Sequence, residues 1–305
     1  MSSVPMTAQT AGKGAARAAA RRRGGSTGFG AERRPRWLTY TILAIVVVVS
    51  LAPLYYTLLL GSSDQETISK HVIPQWLPDA SIFDRFSEVI NTDSFNFTKA
   101  LSNSIIISVV TAFSVVLFST LAGFAFAKLR FKGRRGLLVF VIATTAVPTQ
   151  LGVIPLWIIV TDLGWQNKIQ AVIVPALVSA FGVFWMTQYL ESALPYELIE
   201  AARVDGASMI RTFWSIALPA ARPAAAMLAL FTFIQQWTNF FWPSIVLSQD
   251  NATLPVVVKL LQGSFHTDYS LVMAGVFLTT VPLIIVFILA GRQLVAGIMQ
   301  GAVKG

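Results

Sequence analysis

Cysteine is absent from this 305-residue chain, histidine occurs twice, and only 12% of the residues are charged. Without cysteine there is no disulfide framework, no thiolate metal site and no sulfur nucleophile. The two histidines, His71 and His266, lie nearly two hundred residues apart in polar connections. That is the setting of ordinary loop residues and not of a metal pair or a general base. A soluble domain carries roughly 25% charged residues, and half that density cannot cover a water-facing surface. Two motifs are missing as well. With no G-x-x-x-x-G-K-[ST] loop, nothing cradles the phosphates of ATP. With no H-E-x-x-H, and no clustered carboxylates or nucleophile–base pair in the apolar runs, an enzyme is disfavoured.

What the chain has in quantity is apolar sequence, 55% of its residues. It is arranged in six charge-free runs: Leu38 to Leu60, Ser104 to Ala127, Leu137 to Val160, Ala171 to Thr187, Ala224 to Leu247 and Leu271 to Ala290. Each is near the roughly 20 residues that an α-helix needs to cross about 30 Å of hydrocarbon. The expected fold is therefore all-α, a polytopic membrane protein with six transmembrane helices. Leu254 to Gln262 is apolar but too short to span, and is expected as an interfacial or periplasmic helix.

An even number of spans places both termini on one side, and lysine and arginine mark that side as the cytoplasm. The tail, the Lys128 to Arg135 loop, the Glu191 to Arg222 loop and the C-terminal segment hold 18 of the 23 basic residues; Lys70, Arg85, Lys99, Lys168 and Lys259 fall opposite. The net charge of +9 thus reflects topology, and nucleic-acid binding is not needed to explain it. Residues 1–36, rich in Ala, Gly, Ser and Arg, are expected as a disordered basic cytoplasmic tail ahead of a membrane domain over 37–305. The run after the tail exceeds twenty residues and ends without a small-residue cleavage site, so it is expected to stay as an anchor and not be removed as a signal.

The connection at 191–222 contains LPYELIEAARVDGASMIRTFWSIALP, long for a link between bundle helices. Pro195 suits a first helical turn, Glu197 and Glu200 an N-terminal half, and Gly206 a terminating left-handed residue. Ser208 then caps a second helix, expected to stop before Pro219. Glu200-Ala201-Ala202, three residues, Gly206, nine residues, then Ile216, Leu218 and Pro219 match every fixed position of the EAA loop. On those residues the chain resembles the permeases of binding-protein-dependent ABC importers, most closely the smaller, six-span subunit of the maltose-type carbohydrate systems. Leu101-Ser102-Asn103-Ser104, Ala125 to Leu129 (AFAKL), Trp237 to Leu247 (WTNFFWPSIVL) and Gly301 to Gly305 (GAVKG) extend the likeness over about residues 37 to 305. The long basic tail departs from it.

The resemblance implies a type I ABC importer permease fold in the bacterial plasma membrane, with the EAA helix entering a groove on a separate cytoplasmic ATPase. It also implies the partners: a second permease forming a heterodimer, two ATP-binding-cassette subunits and an extracytoplasmic solute-binding protein. This chain would bind no cofactor, ATP and Mg being used by the partner ATPase. Neutral polar residues in two spans, Thr144, Thr145, Thr149 and Gln150 in the third and Gln235, Gln236, Thr238 and Asn239 in the fifth, need partners or a wet cavity. With Trp237 and its aromatic neighbours they suit a neutral polyhydroxylated solute such as a sugar. The competing reading makes them glue between helices, with the sister permease holding most of the solute contacts. An ion-coupled secondary transporter, or an ABC permease for another solute, stays open at this level. No span contains the carboxylate or histidine that a proton relay uses.

Overall fold

The computed structural model describes residues 37–70, 76–263 and 267–302. The expected basic tail, His71, His266 and residues 303–305 lie outside them. All regular structure among the described residues is helical. The helices are α1 (Trp37–Ser62), α2 (Gln65–Lys70), α3 (Ile82–Ile90), α4 (Phe97–Lys128), α5 (Arg134–Thr144), α6 (Val153–Asp162), α7 (Gln170–Ile173) and α8 (Ala180–Ala193). They continue with α9 (Tyr196–Val204), α10 (Met209–Thr212), α11 (Leu218–Trp237), α12 (Phe241–Val246), α13 (Leu254–Leu260) and α14 (Tyr269–Ala302).

Five helical stretches are long and apolar enough to cross a membrane, and a sixth crossing forms if α5 and the stretch Thr149–Asp162 count as one bent span. The third span expected over Leu137 to Val160 is bent, its halves meeting at 86°. Pro148 adopts an extended backbone, lacks an amide donor and disfavours helix at Val147. Just before it, the Thr144 and Thr145 hydroxyls turn back onto the carbonyls of Val141 and Ile142. The fourth and fifth crossings are longer than their apolar runs, covering Gln170–Ala193 and Met209–Val246. Helical backbone carries on past the hydrocarbon-length segment at the ends that face the 191–222 connection.

The chain divides into a unit ending at Pro53 and a unit from Leu54 onward. In the first, the described residues 37–53 belong to α1 and are exposed throughout. A run such as Val46-Val47-Val48-Val49 left uncovered requires lipid or protein around it. In the second, α4 packs along α8 and α11, and α11 also packs on α14. The approach of α4 to α8 is set by glycine. A Cβ on Gly123 would lie 2.7 Å from Met186 Cβ, and one on Gly182 would lie 2.4 Å from Ser119 Oγ. Small residues at such crossings let membrane helices gain close packing where no hydrophobic effect drives association.

At one end of this bundle, Asn103 Nδ2 donates to the carbonyls of Asn251 and Ala252, and Ser104 Oγ accepts from Leu254 N. The short helix α13, expected as an interfacial or periplasmic helix, is packed on its inner face: Leu254, Val256 and Val257 are buried with Phe95, Phe97, Trp237 and Ala274. At the same end Arg85 reaches Asp64 (2.9 Å), Glu88 (3.1 Å) and Asp268 (3.5 Å). Partial burial disfavours the Arg85 charge, but the bonds to Asp64 and Glu88 and the field of Asp268 outweigh it and hold its pKa above the ordinary arginine value.

Candidate functional site

The connection between the fourth and fifth crossings is built outward from a dry core. Met186, Leu190 and Leu194 from the end of α8 pack with Phe124 and Ala127 of α4 and with Ile199, Phe213 and Ala217. The Phe124 and Phe213 rings lie 5.9 Å apart. Pro195 stands one residue outside α9, as its N-cap, with an extended backbone. Ile199 and Ala202, three residues apart, share the buried face of α9. Glu197, Leu198, Glu200, Ala201, Arg203 and Val204 are exposed.

Gly206 ends the helix as its sequence position suggests. Its φ is +75°, its amide donates to Arg203 O, and the Ala207 amide donates to Ala202 O, the bond pair of a Schellman terminus. Ser208 Oγ accepts from Arg211 N at 3.3 Å and caps the next turn. The expected stop before Pro219 is not found. After α10 the backbone widens into a π-turn over Phe213–Ala217 and continues as α11, with Pro219 as its second residue. A π-turn makes room for the ring and absorbs the missing amide donor, so the helix passes through a proline that would otherwise break it. Ile216 and Leu218 are half-buried against the dry core, and Pro219 is exposed.

The outer face of this element is unusually apolar for a water-facing loop. Val204 is 88% exposed, Ile210 73% and Trp214 53%, beside the exposed carboxylates of Glu197 and Glu200. No ion pair joins Glu200 to Arg203 among the described salt bridges, which leaves Glu200 available to a partner. Three contacts brace the element from the preceding loop. Lys128 Nζ donates to Glu191 O (3.2 Å), Arg134 Nη2 meets Glu191 Oε1 (3.5 Å), and the Arg130 guanidinium lies 5.2 Å from the centre of the Tyr196 ring. In sequence those basic residues read only as a topology signal; the alternation of Lys and Arg with Phe131 and Gly133 was the one hint of a built loop.

The neutral polar residues proposed to line a solute path separate into two groups. Thr144, Thr145, Thr149 and Gln150 sit at the 86° bend and are exposed, and the hydroxyls of the first two are engaged by their own helix. Gln235 is exposed and Asn239 half-buried, while Gln236 presents a buried Oε1 with no hydrogen-bond partner. Trp237 is buried, stacks on Phe233 at 5.5 Å and donates Nε1 to Thr279 O at 3.2 Å. None of the first four side chains bonds to any of the second four among the described residues. Trp237 also borders a cavity of about 290 Å³ with Thr238, Phe240, Leu254, Thr279 and Thr280. The hydroxyls of Thr238, Thr279 and Thr280 are bonded to helix carbonyls, so this cavity offers few free polar groups.

The sequence model of binding-protein-dependent transport system inner membrane components matches residues 116–298. The arabinooligosaccharides transport system permease protein of Halalkalibacterium halodurans is 32% identical over 88% of this chain and 96% of its own length. The lactose transport system permease protein of Rhizobium radiobacter is 31% identical over 90% of this chain and 98% of its own length. Among solved structures, a chain of a bacterial ABC transporter involved in import of the acidic polysaccharide alginate superposes with a TM-score of 0.69. It is 23% identical over 84% of this chain and 94% of that one, a likeness of fold.

Proposed function

The chain belongs to the binding-protein-dependent transport system inner membrane components, and from that premise we propose that α9 receives the stroke of a separate ATPase and that the cargo is a carbohydrate or related polyol. The chain is a multi-pass membrane permease of an ATP-driven importer, a transport subunit and not an enzyme. Such a permease works with another permease, an ATPase and a solute-binding protein. Our finer reading is a heterodimer with a sister permease, two ATPase subunits and one receptor, ATP and Mg being handled by the ATPase alone. Both termini lie in the cytoplasm in this reading, supported by the 18 to 5 division of basic residues.

The observation that carries the coupling role is the two-sided character of α9. Ile199 and Ala202 root it in the core shared by α4, α8 and the π-turn, while Leu198, Ala201 and Val204 stand outside beside Glu197 and Glu200. An exposed apolar face with charges beside it fits a groove on a partner. Force applied there reaches the membrane helices through packed side chains. Leu198→Asp with Val204→Asp should leave membrane level unchanged and abolish copurification of the ATPase. Undiminished copurification would overturn the assignment.

The carbohydrate reading is supported by the cargoes named for the two permeases above and by the Gln235 to Asn239 segment, where Gln236 Oε1 awaits a donor. Uptake of radiolabelled sugars, amino acids and oligopeptides in cells with and without the transporter decides it. Strict specificity for amino acids or peptides would sink it.

A further inference from the structure

We propose that the loop between α4 and α5 is a binding site for the phosphate headgroup of an anionic phospholipid. Arg130, Phe131, Gly133, Arg134, Arg135 and Gly136 line a concavity of about 490 Å³. Three guanidinium groups and no carboxylate belong to that lining. Arginine forks match phosphate oxygens in pairs, and basic clusters at the membrane surface select anionic lipids.

Topology alone requires positive charge but not a shaped receptor, and this loop is shaped. The Arg130 guanidinium is held over Tyr196 at 5.2 Å. Arg134 is braced by Leu129 O and Glu191, and Phe131 packs against Phe126 at 5.8 Å. Arg135 makes no ion pair among the described residues and is exposed. Side chains fixed in advance lose less freedom when a ligand arrives. Gly133 turns the chain at φ +81°, and a Cβ on Gly133 or Gly136 would meet nothing within 4 Å, so the concavity is open at its backbone.

The following helix identifies the ligand as lipid. Immediately beyond the basic concavity, α5 exposes Leu137, Val139 and Phe140 at the start of a membrane crossing. A phosphate with two acyl chains uses both surfaces at once. A free anion uses only the first, and an acidic protein surface has no use for the second.

The test uses the assembled transporter in detergent, titrated with phosphatidylglycerol or phosphatidylcholine. Bound lipid is counted by native mass spectrometry, separately on complexes with and without the ATPase. Arg130→Gln with Arg135→Gln removes two charges, each worth about fivefold at a membrane surface, so phosphatidylglycerol should bind roughly 25-fold more weakly, with phosphatidylcholine unchanged. Gly136→Leu, which keeps every charge and fills the concavity, should also weaken phosphatidylglycerol, whereas Lys168→Gln should not. Millimolar glycerol phosphate should fail to displace the lipid. Wild-type binding by either loop variant, or displacement by glycerol phosphate, overturns the proposal. So does loss of the ATPase from the double variant with lipid retained, which would make the loop a protein contact.

Discussion

The side-chain amide of Asn103 donates to the main-chain carbonyls of Asn251 and Ala252, 3.0 and 3.2 Å away and almost 150 residues later. This bond ties the first turns of α4 to the strand of coil that leads into α13. Removing the donor leaves the buried Ala252 carbonyl and the half-buried Asn251 carbonyl unpaired, at about 1–3 kcal/mol. Asn103→Ala should lower the unfolding temperature of the purified protein, and Ser104→Ala, which frees the Leu254 amide, should add to it. Unchanged melting in both would show that the junction is held by other contacts.

Two glycines with opposite surroundings give a paired test. A Cβ on Gly123 collides with the backbone of Met186 and Thr187, so Gly123→Ala must push α4 away from α8 and lose packing along a whole crossing, roughly 1–3 kcal/mol or more. Gly133→Ala meets no atom and only strains a left-handed residue, about 1 kcal/mol. Protease resistance in membranes should fall sharply for the first and little for the second. Equal resistance would contradict the close crossing.

Gly206 separates folding from coupling. Its φ of +75° and empty surroundings mean that Gly206→Val fails through backbone strain, on the order of 1 kcal/mol and more for a β-branched residue. Membrane level should stay normal while the orientation of α9 is lost, along with ATPase association and uptake. Glu200→Lys should do the same by reversing charge on the docking face. Wild-type uptake in both variants would remove α9 as the coupling element.

The π-turn at Phe213–Ala217 lets the helix run on from α10 through Pro219 into α11. Deleting the exposed Ser215 converts five residues to an ordinary helical turn, which keeps the rotation of the two sides but sets Pro219 in an α-helical register, where its ring meets the carbonyl four residues back at about 3 kcal/mol. ATPase copurification should survive, because α9 is intact, while uptake should fall below a tenth of wild type. Full uptake would mean that the widened turn has no part in transmission.

Charge scarcity and run length were enough to read the membrane class and the apolar segments, and the spacing from Glu200 to Pro219 placed the EAA loop. Gly206 and Ser208 announced their roles because local backbone chemistry decides a helix end whatever surrounds it. The bend at Pro148 has a local cause in the proline, whereas its size, 86°, depends on what each half packs against. Pro219 misled, because a proline rule assumes an α-helical register and the π-turn changes that register.

Alternation and spacing along one chain thus determined which segments are helical, which need lipid and which loop carries the motif, all properties of neighbours in sequence. Tertiary structure alone decided which polar groups meet. Whether Trp237 bonds Thr279, whether Gln236 lacks a partner, and whether Arg130 lies over Tyr196 depend on helix crossings set by Gly123, Gly182 and Ser119. Close packing is a property of pairs of surfaces. No single segment encodes the surface that it will face.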